Sequence, residues 1–156
     1  MFGGIMMNHL RVVFLIILSA VLFAGCAVTP IQRGIDLPRQ DIAQPLTDDS
    51  KIRLIMFNNS NKFWFGWDGS GEINVSLDGK GVCRLSIGDY IIVETNPGNH
   101  TIDLVHLDLA LMKSKHSIST VEKVNYIQIY ATPVSNVAEI TTKPESFESS
   151  YTPAKF

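Results

Sequence analysis

Between Lys51 and Thr142 turn-forming residues interrupt the chain so often that only short strands fit between them. Asn59-Ser60-Asn61, Asp68-Gly69-Ser70-Gly71, Asp78-Gly79, Gly88-Asp89, Pro97-Gly98 and Glu122-Lys123-Val124-Asn125 are the interruptions. Between them apolar residues recur at every second position, as in Ile52/Leu54/Met56, Ile73/Val75/Leu77, Cys83/Leu85/Ile87 and Ile127/Ile129. A strand turns alternate side chains to opposite faces, so each set marks one buried face. Beyond the N-terminal apolar run, no window carries the 3.6-residue apolar stripe of a packed helix. Asp78-Gly79 is a hairpin signal, because both residues tolerate positive φ. Seven to eight short strands with one apolar face each predict an all-β, antiparallel sandwich whose core is built from the inward sets.

Several local expectations follow. The first strand runs from Ile52 to Phe57 and ends at Asn58-Asn59. In Phe63-Trp64-Phe65-Gly66-Trp67, strand parity puts Phe63, Phe65 and Trp67 on one side, where they would fill the sandwich. Trp64, on the other parity, is the first candidate for a surface contact, with Trp67 the second if the run is an exposed platform. From His100 to Leu111 the apolar phase slips: Ile102 and Leu104 share one parity, Val105, Leu107, Leu109 and Leu111 the other. A bulge or strand break near Leu104 would account for that. Lys113 to Val121 is polar enough for an edge strand, Val137 to Thr142 gives the last strand, and the tail after Pro144 reads as loose.

The N-terminal region has a different texture. A single positive charge, Arg11, precedes an apolar run from Val12 to Phe23 broken only by the small residues Ser19 and Ala20. A dozen residues is the length of a signal-peptide core and short of the roughly 20 needed to cross a bilayer as a helix. Leu22-Phe23-Ala24-Gly25-Cys26 closes it, and this stretch resembles the lipobox of bacterial lipoproteins, with Phe23 where Leu is commonest. The resemblance implies cleavage between Gly25 and Cys26 and a diacylglycerol on the Cys26 thiol. It further implies acylation of the new amine, with chains such as palmitate. Ala rather than Asp at position 27 implies, by enterobacterial sorting rules, the outer membrane with the domain facing the periplasm. The competing reading is a transmembrane anchor with an incidental cysteine.

The chain then divides into a signal peptide (1–25), a lipid-attached flexible tether (26–50), a β-sandwich domain (51–143) and a loose tail (144–156). Pro30, Pro38 and Pro45 interrupt the tether, which extended would reach roughly 80 Å. The whole chain carries a formal charge of −2, and of its 13 Lys and Arg only Arg11 lies in the signal segment. No basic cluster with interleaved aromatics is present, so nucleic acid is not an expected partner. With Cys26 acylated, Cys83 has no partner for a disulfide within the chain, and its alternation with Leu85 and Ile87 marks a buried core thiol.

From Val75-Ser76-Leu77-Asp78-Gly79 through Leu85 and Gly88-Asp89-Tyr90 to Pro97-Gly98-Asn99-His100, the chain resembles a family of small bacterial lipoproteins known as a domain of unknown function. That family is similar in texture to PEGA-type surface modules. The resemblance spans roughly Ile52 to Ile140 and departs in the Phe63–Trp67 run. It implies an immunoglobulin-like sandwich in the cell envelope and no particular activity.

Catalytic patterns are weak. His100 and His106 share parity but stand about 20 Å apart on a regular strand, too far to share an ion, so both read as solvent or turn residues. No Gly-x-Ser-x-Gly elbow occurs, Asp103 and Asp108 differ in parity, and Gly69-Ser70-Gly71 lacks the rest of a phosphate loop. No cofactor or metal is expected. The expected role is a non-catalytic binding or structural module, attached to the membrane through Cys26 and contacting an envelope protein or glycan. Two alternatives are an accessory lipoprotein of an envelope-spanning complex, such as a type VI secretion system, and a glycan-modifying enzyme. The latter needs an acid/base pair that the sequence does not display.

Overall fold

The computed structural model describes residue 42 and residues 44–65, 71–107 and 111–154. Among them are nine strands: β1 (Ile52–Asn58), β2 (Ile73–Leu77), β3 (Lys80–Leu85), β4 (Asp89–Thr95), β5 (Gly98–Leu107), β6 (Leu111–Thr120), β7 (Val124–Thr132), β8 (Ser135–Thr141) and β9 (Thr152–Pro153). Two single-turn helices accompany them, α1 (Lys62–Phe65) and α2 (Phe147–Ser150). The strands form two sheets in the orders β8-β7-β1-β4-β9 and β3-β2-β5-β6, giving the all-β sandwich that alternation implied. Most neighbours are antiparallel; β1–β7 and β4–β9 are parallel. No helix among the described residues is long and apolar enough to cross a membrane. The Val12–Phe23 run, Gly25 and Cys26 lie outside the described residues.

The core between the sheets is made by the inward sets: Ile52, Leu54 and Met56 from β1, Ile73, Val75 and Leu77 from β2, Cys83 and Leu85 from β3, Ile127 and Ile129 from β7. Each such aliphatic side chain contributes about 1.5–3 kcal/mol when fully buried. The β2–β3 hairpin turns on Asp78 and Gly79, at φ 50 and 75, as their sequence implied.

Strand β1 is buried along both faces. Its outward residues Ile55 and Phe57 pack with Tyr90 and Ile92 beneath Phe147 and Tyr151. The segment after Pro144, expected to be loose, is therefore a third layer. Helix α2 drives Phe147 onto Phe57, ring centroids 5.5 Å apart and perpendicular, and β9 then pairs with β4. Phe147 has no exposed surface at all. The apolar outward phase of β1 is what demands this cover, because an open sheet face would be polar.

The end of the expected tether is held as well. Arg53, 4% exposed, donates from Nη1 to the carbonyls of Ile42 and Gln44 at 3.0 and 2.8 Å, and from Nη2 to that of Pro45 at 3.2 Å. Its Nη2 also meets Glu94 at 3.0 Å. Glu94 in turn accepts the Thr47 N–H and hydroxyl. Burial pushes the Glu94 carboxyl up, but the bonds from Thr47 and Arg53 outweigh it and hold the group below the ordinary glutamate range.

Strand β5 also departs from expectation. It runs unbroken to Leu107, with His100, Ile102, Leu104 and His106 all turned inward. His106 occupies a buried position that apolar counting had left empty, so among the described residues the inward phase holds from His100 through His106. The register shift lies elsewhere, between Val75 and Ser76 opposite β3. Strand β6 is the edge strand that its polarity suggested.

Candidate functional site

Four consecutive polar residues fix the turn that follows β1, each by a different bond. Asn58, wholly buried, donates from Nδ2 to the carbonyls of Gly71 and Leu85 at 2.7 and 3.0 Å. Its Oδ1 accepts the N–H and hydroxyl of Ser60 at 3.0 and 2.6 Å, so both donors and both acceptor sites of the amide are used. Ser60 Oγ accepts the Ala131 N–H at 2.9 Å and ties the turn to β7. Asn59 Oδ1 accepts the Tyr151 hydroxyl at 2.8 Å and ties it to the C-terminal layer. Asn61 Oδ1 accepts the Phe63 N–H at 2.8 Å and caps α1. Gly71 then closes the loop, its N–H donating to the Phe65 carbonyl at 2.9 Å. A Cβ there would lie 2.9 Å from the Phe65 carbonyl oxygen as well as 2.3 Å from Ile87 Cδ1, and the backbone oxygen cannot swing aside, so the position calls for glycine.

The helical turn redistributes the aromatic run. Phe65 is buried, its ring centroid 6.3 Å from that of His106. Phe63, which strand parity placed inside with it, is 70% exposed, and Trp64 is 72% exposed. The two exposed rings meet edge to face, 5.4 Å between centroids. The inward placement of Phe63 is corrected: a single helical turn has no alternation, so neighbours 63 and 64 share the outer side. The surface placement of Trp64 stands. Trp67 lies outside the described residues.

Leu111 and Val134 are also largely exposed and sit at this same end of the sandwich, in the start of β6 and the β7–β8 turn. Residues 44–51 enter at the opposite end, beside the exposed Val121 and Val124. Among described residues the aromatic turn is thus on the pole away from the N-terminal entry.

The histidines sit differently from the solvent and turn positions expected. His100 and His106 are buried in β5, and His116 is half-buried in β6. Among the described residues no group of three His, Cys, Asp or Glu side chains could hold a metal ion. His116 Nε2 lies 2.9 Å from Ser114 Oγ and 3.0 Å from the Asn136 carbonyl. A carbonyl only accepts, so Nε2 carries its proton there and turns no lone pair on Ser114, which general-base activation requires. That contact instead joins β6 to β8, beside the bond from Asn136 Nδ2 to the Met112 carbonyl. Cys83 is buried in the core, as its alternation implied.

Compared with known proteins, the chain matches no family model, no curated protein and no solved structure. The reading of the site therefore rests on its own geometry. A rigid, solvent-facing aromatic pair can bury a large apolar area against a partner at little entropic cost, and it offers no group that moves a proton.

Proposed function

We propose that this chain is a lipid-anchored protein of the bacterial cell envelope that binds a protein partner through Phe63 and Trp64 and performs no catalysis. The observation that carries the reading is the exposure of two adjacent large aromatic side chains on a turn held from beneath by Asn58, Ser60 and Asn61. Exposed Trp and Phe are costly in water unless a partner covers them, and a preorganised aromatic anchor is the usual centre of a binding surface. The anchor rests on Leu22-Phe23-Ala24-Gly25-Cys26, which supports lipid attachment at Cys26 after cleavage beyond Gly25. Ala27 supports the outer membrane as the location. We include Trp67 in the proposed contact on its place in the sequence alone.

In-cell photocrosslinking from position 64, compared with a Cys26→Ala control, tests both halves. A single dominant protein adduct that weakens in the control supports an anchored binding role. Adducts to lipid or glycan alone would replace the protein partner, and no adduct from a folded, lipidated chain would remove Trp64 from the role.

A further inference from the structure

The pole opposite the aromatic turn is closed by a second polar cluster, centred on His100. The positive φ of Asp78 turns its carboxylate toward β5, where Oδ1 accepts the Thr101 N–H at 2.8 Å and Oδ2 lies 2.7 Å from His100 Nδ1. The other ring nitrogen, Nε2, lies 2.8 Å from the Asn96 carbonyl oxygen, in the turn between β4 and β5. The ring itself is 8% exposed.

Both partners of this ring are acceptors. A neutral imidazole has one N–H, so it can satisfy one of them and must turn a lone pair on the other; only the doubly protonated ring donates at both nitrogens. Both separations also fall within the range of charge-assisted bonds, about 2.7–2.9 Å. The charged groups around the cluster are few. The β2–β3 hairpin brings Asp78 and Lys80, and the segment before β1 brings Lys51, whose ammonium donates to Asn96 Oδ1 at 2.8 Å. From β6 come Ile118, opposite His100, and Thr120, whose hydroxyl donates to the Gly98 carbonyl at 3.0 Å; neither titrates.

We propose that His100 is a pH-responsive clasp, tying the β2–β3 hairpin to the β4–β5 turn while its ring holds two protons and releasing one of the two when a proton leaves. The clasp is whole while both ring nitrogens carry protons and loses one of its two ties once either proton is gone. It has a lower limit too. Burial raises the Asp78 carboxyl, but the bonds from Thr101 and His100 outweigh that and hold it below the ordinary aspartate range, so its half of the clasp fails only in stronger acid. The proposal is independent of the partner reading, since it concerns the other end of the fold.

Ring nitrogen NMR and amide exchange on the full chain test it. Asp78→Asn keeps an acceptor for the Thr101 N–H and tolerates positive φ while removing the charge. In the unmodified protein both ring nitrogens of His100 should carry protons at pH 5.5. Exchange in residues 77–80 and 97–101, corrected for its intrinsic rate, should then accelerate at least about threefold once the pH is raised until the ring spectrum shows one proton lost. The acceleration should vanish in Asp78→Asn. A singly protonated ring at pH 5.5, or an equal acceleration in the variant, would overturn the clasp; the ring spectrum alone decides the matter if the variant does not fold.

Discussion

Asn58 makes four hydrogen bonds from a position with no exposed surface: two to the Gly71 and Leu85 carbonyls pin the turn to its neighbours, and two from Ser60 shape the turn itself. Its removal leaves the Gly71 and Leu85 carbonyls and the Ser60 donors short of a partner in a site that water does not reach. Asn58→Ala should therefore cost about 3 kcal/mol in urea unfolding, near the upper end for a single polar side chain. Its neighbours on the turn should separate cleanly. Phe65→Ala empties a buried site and should cost about 3 kcal/mol, whereas Trp64→Ala should stay within about 0.5 kcal/mol of the parent. Partner binding should respond in the opposite sense, weakening about thirtyfold for Trp64→Ala. Equal destabilisation by both substitutions would place Trp64 in the packing and out of the interface. The sequence made Trp64 visible as an exposed residue but for a partly mistaken reason. Strand parity was applied to a run that folds as a helical turn, and the signal for that turn is the Asx cap at Asn61, which alternation cannot register.

At the scale of elements, strand β1 shows why the segment after Pro144 packs where a loose tail was expected. Ile52 to Phe57 was plain as a strand, yet its apolar residues on both parities, Ile55 and Phe57 as well as Leu54 and Met56, already called for cover on two sides. The covering elements are short. Helix α2 is one turn and β9 two residues, too brief for any periodicity to reveal, and Phe147 carries them with Tyr151 stacked on it. Phe147→Ala should cost about 3–5 kcal/mol and raise binding of a hydrophobic dye, since it uncovers Ile55 and Phe57. A loss below about 1 kcal/mol would return the segment to the status of a tail. The other cover is electrostatic. The Glu94 carboxylate is stabilised in the fold, so its contribution is fully present above the ordinary glutamate range and is lost as pH falls below about 4. Proteolysis within residues 44–50 should accelerate in that acidic window, and Glu94→Gln should show the fast cleavage already at neutral pH. In β5, by contrast, one buried histidine misled the count. His106 sits on the apolar phase, and a scheme that scores histidine as polar must invent a bulge to explain it.

For the molecule as a whole, two sheets were legible because turn residues and alternation act over a few neighbours, and both are present in the fold almost residue for residue. What escaped was long-range: the parallel pairing of β1 with β7, the seam between β6 and β8, and the return of the last segment over the first strand. That return has a consequence for the order of events in the life of the chain. The first strand is central in its sheet, bounded by β4 and β7, and its outer face waits for Phe147 and Tyr151. Synthesis delivers β1 well before its roof, so the native packing of β1 cannot be completed until Phe147 and Tyr151 have been made. Loop closure over that distance is slow, and until it happens the polypeptide stays open. For a chain proposed to be anchored in the cell envelope, that late completion leaves the apolar outer face of its first strand open until residues 147–151 exist.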